Sequence, residues 1–223
     1  MQMKKEKSKG NRILTIVLSV AAGILVIIGI LITLALSTPH AEQINQPIAP
    51  SNELAKKVLA GALSGEECSV TEEEINGFID QKMALSSHFT SVNGAAIRRV
   101  ILSFREDDTA DAFLPIVYQN RAYDVSVNLT PSFSGGQLAM RVNSVHVGRL
   151  PVNPVWVIPT LKEALPETFT VSGTEIRMDG SVFHYKQSGV SADLNLSDIR
   201  LENRMLKLKV QGKLNTPYFG IFS

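Results

Sequence analysis

The stretch "RAYDVSVNLTPSFSGGQLAMRVNSVHV", residues 121–147, decides the fold. Apolar and polar residues alternate from Tyr123 to Thr130, which is typical of a β-strand with one face in water. Ser134, Gly135 and Gly136 then supply a turn, and a second alternating strand follows. The stretch therefore predicts an antiparallel hairpin.

The second strand of this hairpin changes phase partway along its length. Val142 ends a run of apolar residues at even positions, whereas Val145 begins a run at odd positions. One extra residue in a β-bulge near Asn143 and Ser144 explains the change, and a bulge also bends the strand. We therefore expect a curved sheet.

Two helices are predicted before the sheet. The first lies near residues 51–63, and the second begins at "VTEEEIN", where Thr71 and Glu74 form a capping box and Val70 and Ile75 a hydrophobic staple. Apolar stripes at helical spacing run along the two helices, with Leu54, Val58 and Ala62 on the first and Ile75, Phe78, Ile79 and Met83 on the second. Each stripe predicts a face that packs against the sheet.

The remainder of the chain adds strands and one helical turn. The final pair of strands turns at Glu202, Asn203 and Arg204, and a short helix is expected to open at Pro159. We therefore predict an α+β domain over residues 51–223, in which a curved antiparallel sheet packs on one or two helices.

A long apolar segment precedes this domain. Residues 13–36 contain no charge, and about 20 apolar residues suffice for a transmembrane helix. Residues 1–12 carry five basic residues and one acidic residue, and such flanks stay in the cytoplasm. The pattern predicts a single-pass protein of the cell membrane with a cytoplasmic N-terminus and an extracellular domain.

A cleaved signal peptide is the alternative interpretation of this segment. This uncharged, largely apolar run of 24 residues exceeds the usual core of about 7 to 15, and no clean A-x-A site follows. Residues 37–50 contain three prolines and lack apolar periodicity, which indicates an extended linker between anchor and domain.

Charge and motifs exclude several classes of function. Beyond residue 12 the chain has 17 basic and 20 acidic residues, a net charge of −3, which does not favour nucleic-acid binding. The scattered histidines fit no zinc pattern, and no catalytic serine, phosphate-binding or dinucleotide motif is present. The acidic run from Glu106 to Asp111 misses the spacing of a calcium loop. We expect no metal, no cofactor and no enzymatic activity.

The segment "VGRLPVNPVWVIP" is the candidate contact site, because it combines stiff prolines with the only tryptophan. The candidate residues are Leu150, Val152, Trp156 and Ile158. Two interpretations are open: these side chains close one end of the core, or they line an apolar groove or touch lipid, since tryptophan favours sites that are dry at one end and wet at the other.

The capped "VTEEEIN" helix, the "VGRLPVNP" segment and the closing "DIRLENRMLKLKV" hairpin resemble the YpmS-like family of membrane-anchored proteins of Gram-positive bacteria. The chain departs from that pattern at Asn153 and Trp156. The matching positions are Thr71, Glu74, Ile75, Asn76, Gly148, Leu150, Pro151 and Pro154. The resemblance implies an outer domain similar to tubular lipid-binding (TULIP-type) modules.

These observations lead to one expectation and two alternatives for function. We expect a non-enzymatic module of the cell envelope that binds a lipid or a lipid-linked precursor, with the bilayer as its partner. A scaffold for envelope-assembly proteins is the first alternative. An anchored hydrolase is the second, and it would need His146 or His184 beside a carboxylate and a serine within a cleft.

Overall fold

The computed structural model describes residues 22–85, 95–161, 169–179, 183–187 and 190–215. The basic tail and residues 13–21 of the predicted transmembrane helix lie outside this part. The helices are α1 (residues 22–35), α2 (Ala41–Asn45), α3 (Glu53–Ser64), α4 (Glu72–Leu85) and α5 (Pro154–Leu161). Within the described chain, none of these helices combines the length and the apolar character that a membrane span needs.

The described strands form two antiparallel sheets. The first strands are β1 (Glu67–Val70), β2 (Ala95–Ile97), β3 (Ile101–Phe104), β4 (Ala110–Tyr118), β5 (Arg121–Ser134) and β6 (Gln137–Val147). The later ones are β7 (Leu150–Val152), β8 (Phe169–Ser172), β9 (Glu175–Asp179), β10 (Phe183–Gln187), β11 (Val190–Glu202) and β12 (Met205–Asn215). The smaller sheet has the order β1-β12-β11-β10, and the larger β2-β4-β5-β6-β9-β8, with β3 beside β4 and β7 beside β6.

The fold is α+β with a strongly curled antiparallel sheet, as the sequence predicts. The register of β5 and β6 shifts at Asn143, because Asn128 pairs with Ser144 and Leu129 with Val142. The other long hairpin, β11 and β12, contains a similar shift at Ser197. Each extra residue bends its strand, so both long hairpins contribute to the curvature.

Two apolar clusters hold the elements together. The first joins α3, β1, β11 and β12, and its buried residues include Val70, Leu194, Leu196, Leu201, Leu206, Leu208 and Val210. The second lies between β5, β6, β9 and α5, around Val142, Val145, Ile158 and Ile176. Val142 and Val145 are both buried although their parity differs, because the bulge between them returns both side chains to the same face.

Side chains of α4 pair with the edge of β3 that faces away from β4. Asn76 Nδ2 donates to Leu102 O and Asn76 Oδ1 accepts from Leu102 N, both at 2.7 Å. Glu72 Oε1 accepts from the N–H of Phe104 at 2.5 Å. These contacts replace a neighbouring strand, so α4 covers the unpaired backbone of this edge.

The predicted extended linker is wrong at Ala41–Asn45, which forms α2. Residues around α2 lie against the domain. Arg99 Nη1 donates to Ile44 O at 3.2 Å and to Gln46 O at 2.8 Å, and the N–H of Ser51 donates to Gly77 O at 3.1 Å. These bonds satisfy backbone groups that a free linker would leave to water, and they attach the segment to the connection between β2 and β3 and to α4.

The C-terminal end of α1 is also bonded to the domain. The N–H of Arg149, in the turn between β6 and β7, donates to Leu34 O and to Ser37 Oγ, both at 2.9 Å. The N–H of His40 donates to Asp124 Oδ2 at 2.9 Å. The last carbonyls of a helix have no partner within it, and here the domain supplies one.

Asp124 departs from the pattern of β5, because alternation predicts that its side chain lies on the wet face. The side chain is buried, at 2 % exposure for the residue, since residues 37–40 cover this part of the strand. Nδ1 of His40 lies 3.3 Å from Asp124 Oδ2, and the imidazole packs 4.6 Å from the ring of Phe113. The alternation of apolar and polar residues along β5 cannot show that Asp124 is buried, because the segment that buries it lies 84 residues away in the sequence.

The short helix after the "VGRLPVNP" segment begins earlier than predicted, which corrects the expectation for Pro159. Helix α5 starts at Pro154, with Asn153 as its cap: Asn153 Oδ1 accepts from the N–H of Val155 at 3.0 Å. Pro154 is suited to the first helical position because its missing N–H would have no partner there. The cap residue therefore decides which proline opens the helix.

Candidate functional site

The four residues predicted as the contact site separate into buried and exposed positions. Ile158 is 1 % exposed and belongs to the second apolar cluster, and Val152 packs against that cluster. Leu150 is half-buried on β7, whereas Trp156 is 73 % exposed on α5. Ile158 therefore closes the core, and Trp156 presents its indole to the surface beside the exposed Val155.

A separate apolar groove lies between the two helices α3 and α4 and the strands β11 and β12. Its volume is about 450 Å³, within the usual range of ligand pockets. The lining residues are Leu54, Ala55, Val58, Ile75, Phe78, Lys82, Leu138, Leu194, Leu196, Ile199, Leu206, Leu208 and Val210. Every one of them except Lys82 is apolar, so the groove can hold a hydrocarbon chain and offers it almost no side-chain hydrogen bonds.

The local periodicities explain why these residues meet. On α3, Leu54 and Val58 are four residues apart, and positions at this spacing share one face of a helix. On β12, Leu206 and Leu208 alternate with lysines and point to the same side of the sheet. The bulge at Ser197 lets β11 place residues of opposite parity on the same inner face.

The wall formed by α3 and α4 contains an ion pair at its surface. Nζ of Lys57 lies 2.6 Å from Oε1 of Glu74, which also completes the predicted capping box with Thr71. Burial alone would raise the pKa of Glu74, but hydrogen bonds from Lys57 and Thr71 outweigh it and hold the pKa below the ordinary glutamate value. The ionised carboxylate therefore stabilises the pairing of the two helices.

This ion pair predicts a pH-dependent contribution to stability. Because the pKa of Glu74 is lowered in the folded state, the contribution is present at neutral pH and is lost as pH falls through the folded pKa. We expect Lys57→Met to cost about 0.5–1 kcal/mol at neutral pH, since both groups are partly exposed, and to cost less in acid. Urea unfolding of both proteins over a pH series measures the difference.

Lys56→Met is the matched control, because Lys56 lies on the same helix and pairs with Glu53 at a more exposed position. It should change the free energy of unfolding by no more than a few tenths of a kcal/mol. If the difference in unfolding free energy between Lys57→Met and the wild type were the same at every pH, the assigned role of Glu74 would be contradicted.

A second cleft, of about 530 Å³, lies on the outer face of β4, β5 and β6 near the end of α1. Its polar lining includes His146, which stands directly opposite Ser126, together with Ser144 and Asp111. Asp111 accepts a hydrogen bond from Asn128 Nδ2 at 2.7 Å. Among the described residues no hydrogen bond joins His146 to a serine or a carboxylate, although an activated serine needs such a bond to its base.

Arg200, on the closing hairpin, is compensated by several carboxylates. Arg200 contacts Glu67 at 2.7 Å, Asp198 at 2.5 Å and Glu202 at 3.6 Å, and the hydrogen bond to Glu67 is the main reason that the pKa of Arg200 is raised. Lys207 donates to Ser69 Oγ at 2.7 Å. The charge of Arg200 is therefore neutralised by neighbouring carboxylates, whereas Lys207 is bonded to a neutral hydroxyl group.

The acidic turn between β3 and β4 is held by its own hydrogen bonds. Asp107 Oδ1 accepts from Thr109 Oγ1 at 2.6 Å, and this bond lowers the pKa of Asp107. Arg105 lies 3.6 Å from the same carboxylate and 3.2 Å from Asp111. In the part of the chain that the structure describes, no three His, Cys, Asp or Glu side chains come together as metal ligands.

Sequence reasoning identified the stripes that line the groove but assigned them to packing. Leu54, Val58, Ile75 and Phe78 fall on the predicted helix faces, and the structure leaves a groove where those faces meet the sheet. The signal that could have pointed to the groove is Lys82, a charge at helical spacing from Phe78 on an otherwise apolar face.

Comparison with known protein families, with characterised proteins and with solved structures finds no match.

Proposed function

We propose that the protein is a single-pass membrane protein whose extracytoplasmic domain binds the hydrocarbon part of a lipid, or of a lipid-linked envelope precursor, in the apolar groove. The groove carries the proposal: twelve of its thirteen lining residues are apolar, and they come from both helices and from the curled sheet. An apolar groove of this size suits a hydrocarbon chain, which gains by leaving water.

The character of α1 supports the membrane part of the proposal. Its large apolar side chains from Ile24 to Ile32 are exposed around the helix, and no element of the described chain covers them. Continuous apolar surfaces of this kind mark contacts with lipid or protein. The uncharged segment 13–36 and the basic residues before it agree with an anchor whose N-terminus is cytoplasmic.

A bulky substitution in the groove tests lipid binding. Ala55 lines the groove and is half-buried, so Ala55→Trp should fill the space that a hydrocarbon chain would occupy. With the full chain in phosphatidylcholine nanodiscs, we expect labelling of groove peptides by a diazirine-bearing lipid to fall about tenfold, equivalent to about 1.4 kcal/mol. Mass spectrometry of the labelled peptides locates and quantifies the adducts.

Ala60→Trp is the matched control, because Ala60 lies on the same helix, is exposed and does not line the groove. Labelling should be unchanged in this variant, and circular dichroism should show that both variants fold. Wild-type protein labelled only on α1, with no adduct in the groove, would contradict the proposal.

An envelope scaffold is the second candidate, and exposed apolar residues on α5 favour it. Trp156 and Val155 are 73 % and 51 % exposed on a helix whose other face is held in the core by Ile158. Exposed tryptophan is enriched at protein interfaces because its ring offers a large apolar area with one polar group. This candidate gains support if the groove proves to take no lipid.

A further inference from the structure

Lys82 is the one charged residue among those that line the apolar groove. It is exposed near the end of α4, one turn after Phe78, and its Nζ lies 5.2 Å from the centre of the Phe78 ring. The side chain therefore runs along an apolar wall and keeps its ammonium group at the rim, as long basic side chains do where apolar surface meets water.

No described carboxylate neutralises this ammonium group. The nearest acidic residue on the same helix, Asp80, accepts a hydrogen bond from Arg99 Nε at 3.2 Å. Two residues along a helix correspond to about 200° of rotation, so Asp80 and Lys82 project from nearly opposite sides. Within the described chain, the ammonium group of Lys82 contacts the Phe78 ring, and a cation in such a contact can also bind an anion.

We propose that the groove takes an anionic amphiphile, with its hydrocarbon chain along the apolar wall and its carboxylate or phosphate on Lys82. The inference rests on the proposed function and adds the charge of the ligand's head group. An apolar lining with one cation at its rim matches a long apolar chain that ends in one anion, and the ammonium group can donate charge-assisted hydrogen bonds to either head group.

The test compares head groups on chains of equal length. Full-length protein in phosphatidylcholine nanodiscs is exposed to diazirine-bearing fatty acid, lysophosphatidate or uncharged monoacylglycerol, in slightly alkaline buffer so that the acids are ionised. We expect groove labelling of the wild type by the anionic probes to exceed that by the neutral probe about twofold to fivefold, as for a partly exposed ion pair. The two anionic probes distinguish a carboxylate from a phosphate ligand.

Lys82→Met should remove this preference by lowering anionic labelling to the level of the neutral probe, whereas Lys82→Arg should keep it. Lys56→Met, which removes an exposed lysine outside the groove, should also leave it intact. Equal labelling of the wild-type groove by all three probes would overturn the role of Lys82 and leave the groove itself supported. Absence of groove labelling by every probe would instead overturn the proposed function.

Discussion

Replacement of Asn76 by alanine should lower the free energy of unfolding by about 2–4 kcal/mol, because it leaves two part-buried backbone groups without partners, and each such group costs about 1–3 kcal/mol when water cannot reach it. Asn76 is 6 % exposed, and its amide bonds both the N–H and the C=O of Leu102 at 2.7 Å. Alanine removes both bonds at once. Water cannot replace them readily, since α4 lies over this edge of β3.

Denaturant unfolding of the full chain, followed by circular dichroism, measures this effect. Asn45→Ala is the matched control, because Asn45 Nδ2 also donates to a backbone carbonyl, that of Ala41, at 2.8 Å, but the bond is exposed. The control should stay within about 0.5 kcal/mol of the wild type, as is usual for surface substitutions. An equally small change in Asn76→Ala would contradict the view that α4 completes the edge of β3.

Asn76 also shows which parts of this fold can be predicted from the sequence. The capping box of α4, the bulge at Asn143 and the turn at Asn203 are confirmed, since each depends on residues within a few positions of one another. The partner of Asn76 lies 26 residues away, and nothing in the local pattern indicates it. The start of α5 at Pro154 differs from the predicted start at Pro159, because either proline can occupy the first position of a helix.

The candidate site is less predictable than the fold. Its lining comes from α3, α4, β6, β11 and β12, and each of these contributes residues that look like ordinary core positions when considered alone. Phe78 and Leu208, for example, are 130 positions apart, so no periodicity relates them. Whether two apolar faces meet in full contact or leave a groove depends on how strongly the sheet curls. A local pattern such as a β-bulge indicates that the sheet curls but not by how much.

Replacement of Gly148 by alanine should displace the end of α1 from the domain. A Cβ at Gly148 would contact Leu34 O, and it would lie 2.7 Å from Ser37 O and 2.8 Å from Ala35 O, too close for any of these backbone atoms. The residue also has a φ of +59°, which side chains other than hydrogen rarely adopt. We expect the bonds from Arg149 and His40 to break, and hydrogen exchange of these two amides to accelerate at least about tenfold, since each tenfold step corresponds to about 1.4 kcal/mol.

Gly173→Ala separates the steric effect from backbone strain. Gly173 has nearly the same φ, +60°, but a Cβ there meets no atom within 4 Å. In both variants the strain of a left-handed alanine should lower the free energy of unfolding by about 1 kcal/mol. Only the Gly148 variant should also lose protection from hydrogen exchange at residues 34–40. Equal exchange at His40 in the two variants, measured on the full chain in nanodiscs, would show that Gly148 is not needed for the join.

The join between α1 and the sheet determines how the groove is presented. Segment 37–50 has 14 residues, and a flexible linker of that length has a root-mean-square end-to-end distance of about 20 Å. A domain on such a linker could take many positions relative to α1. The bonds of Arg149, Asp124 and Arg99 remove that freedom. The groove therefore has a fixed position and orientation relative to α1. Under the proposed function, a ligand would meet the opening at one fixed place relative to the anchor, and only the ligand would have to move.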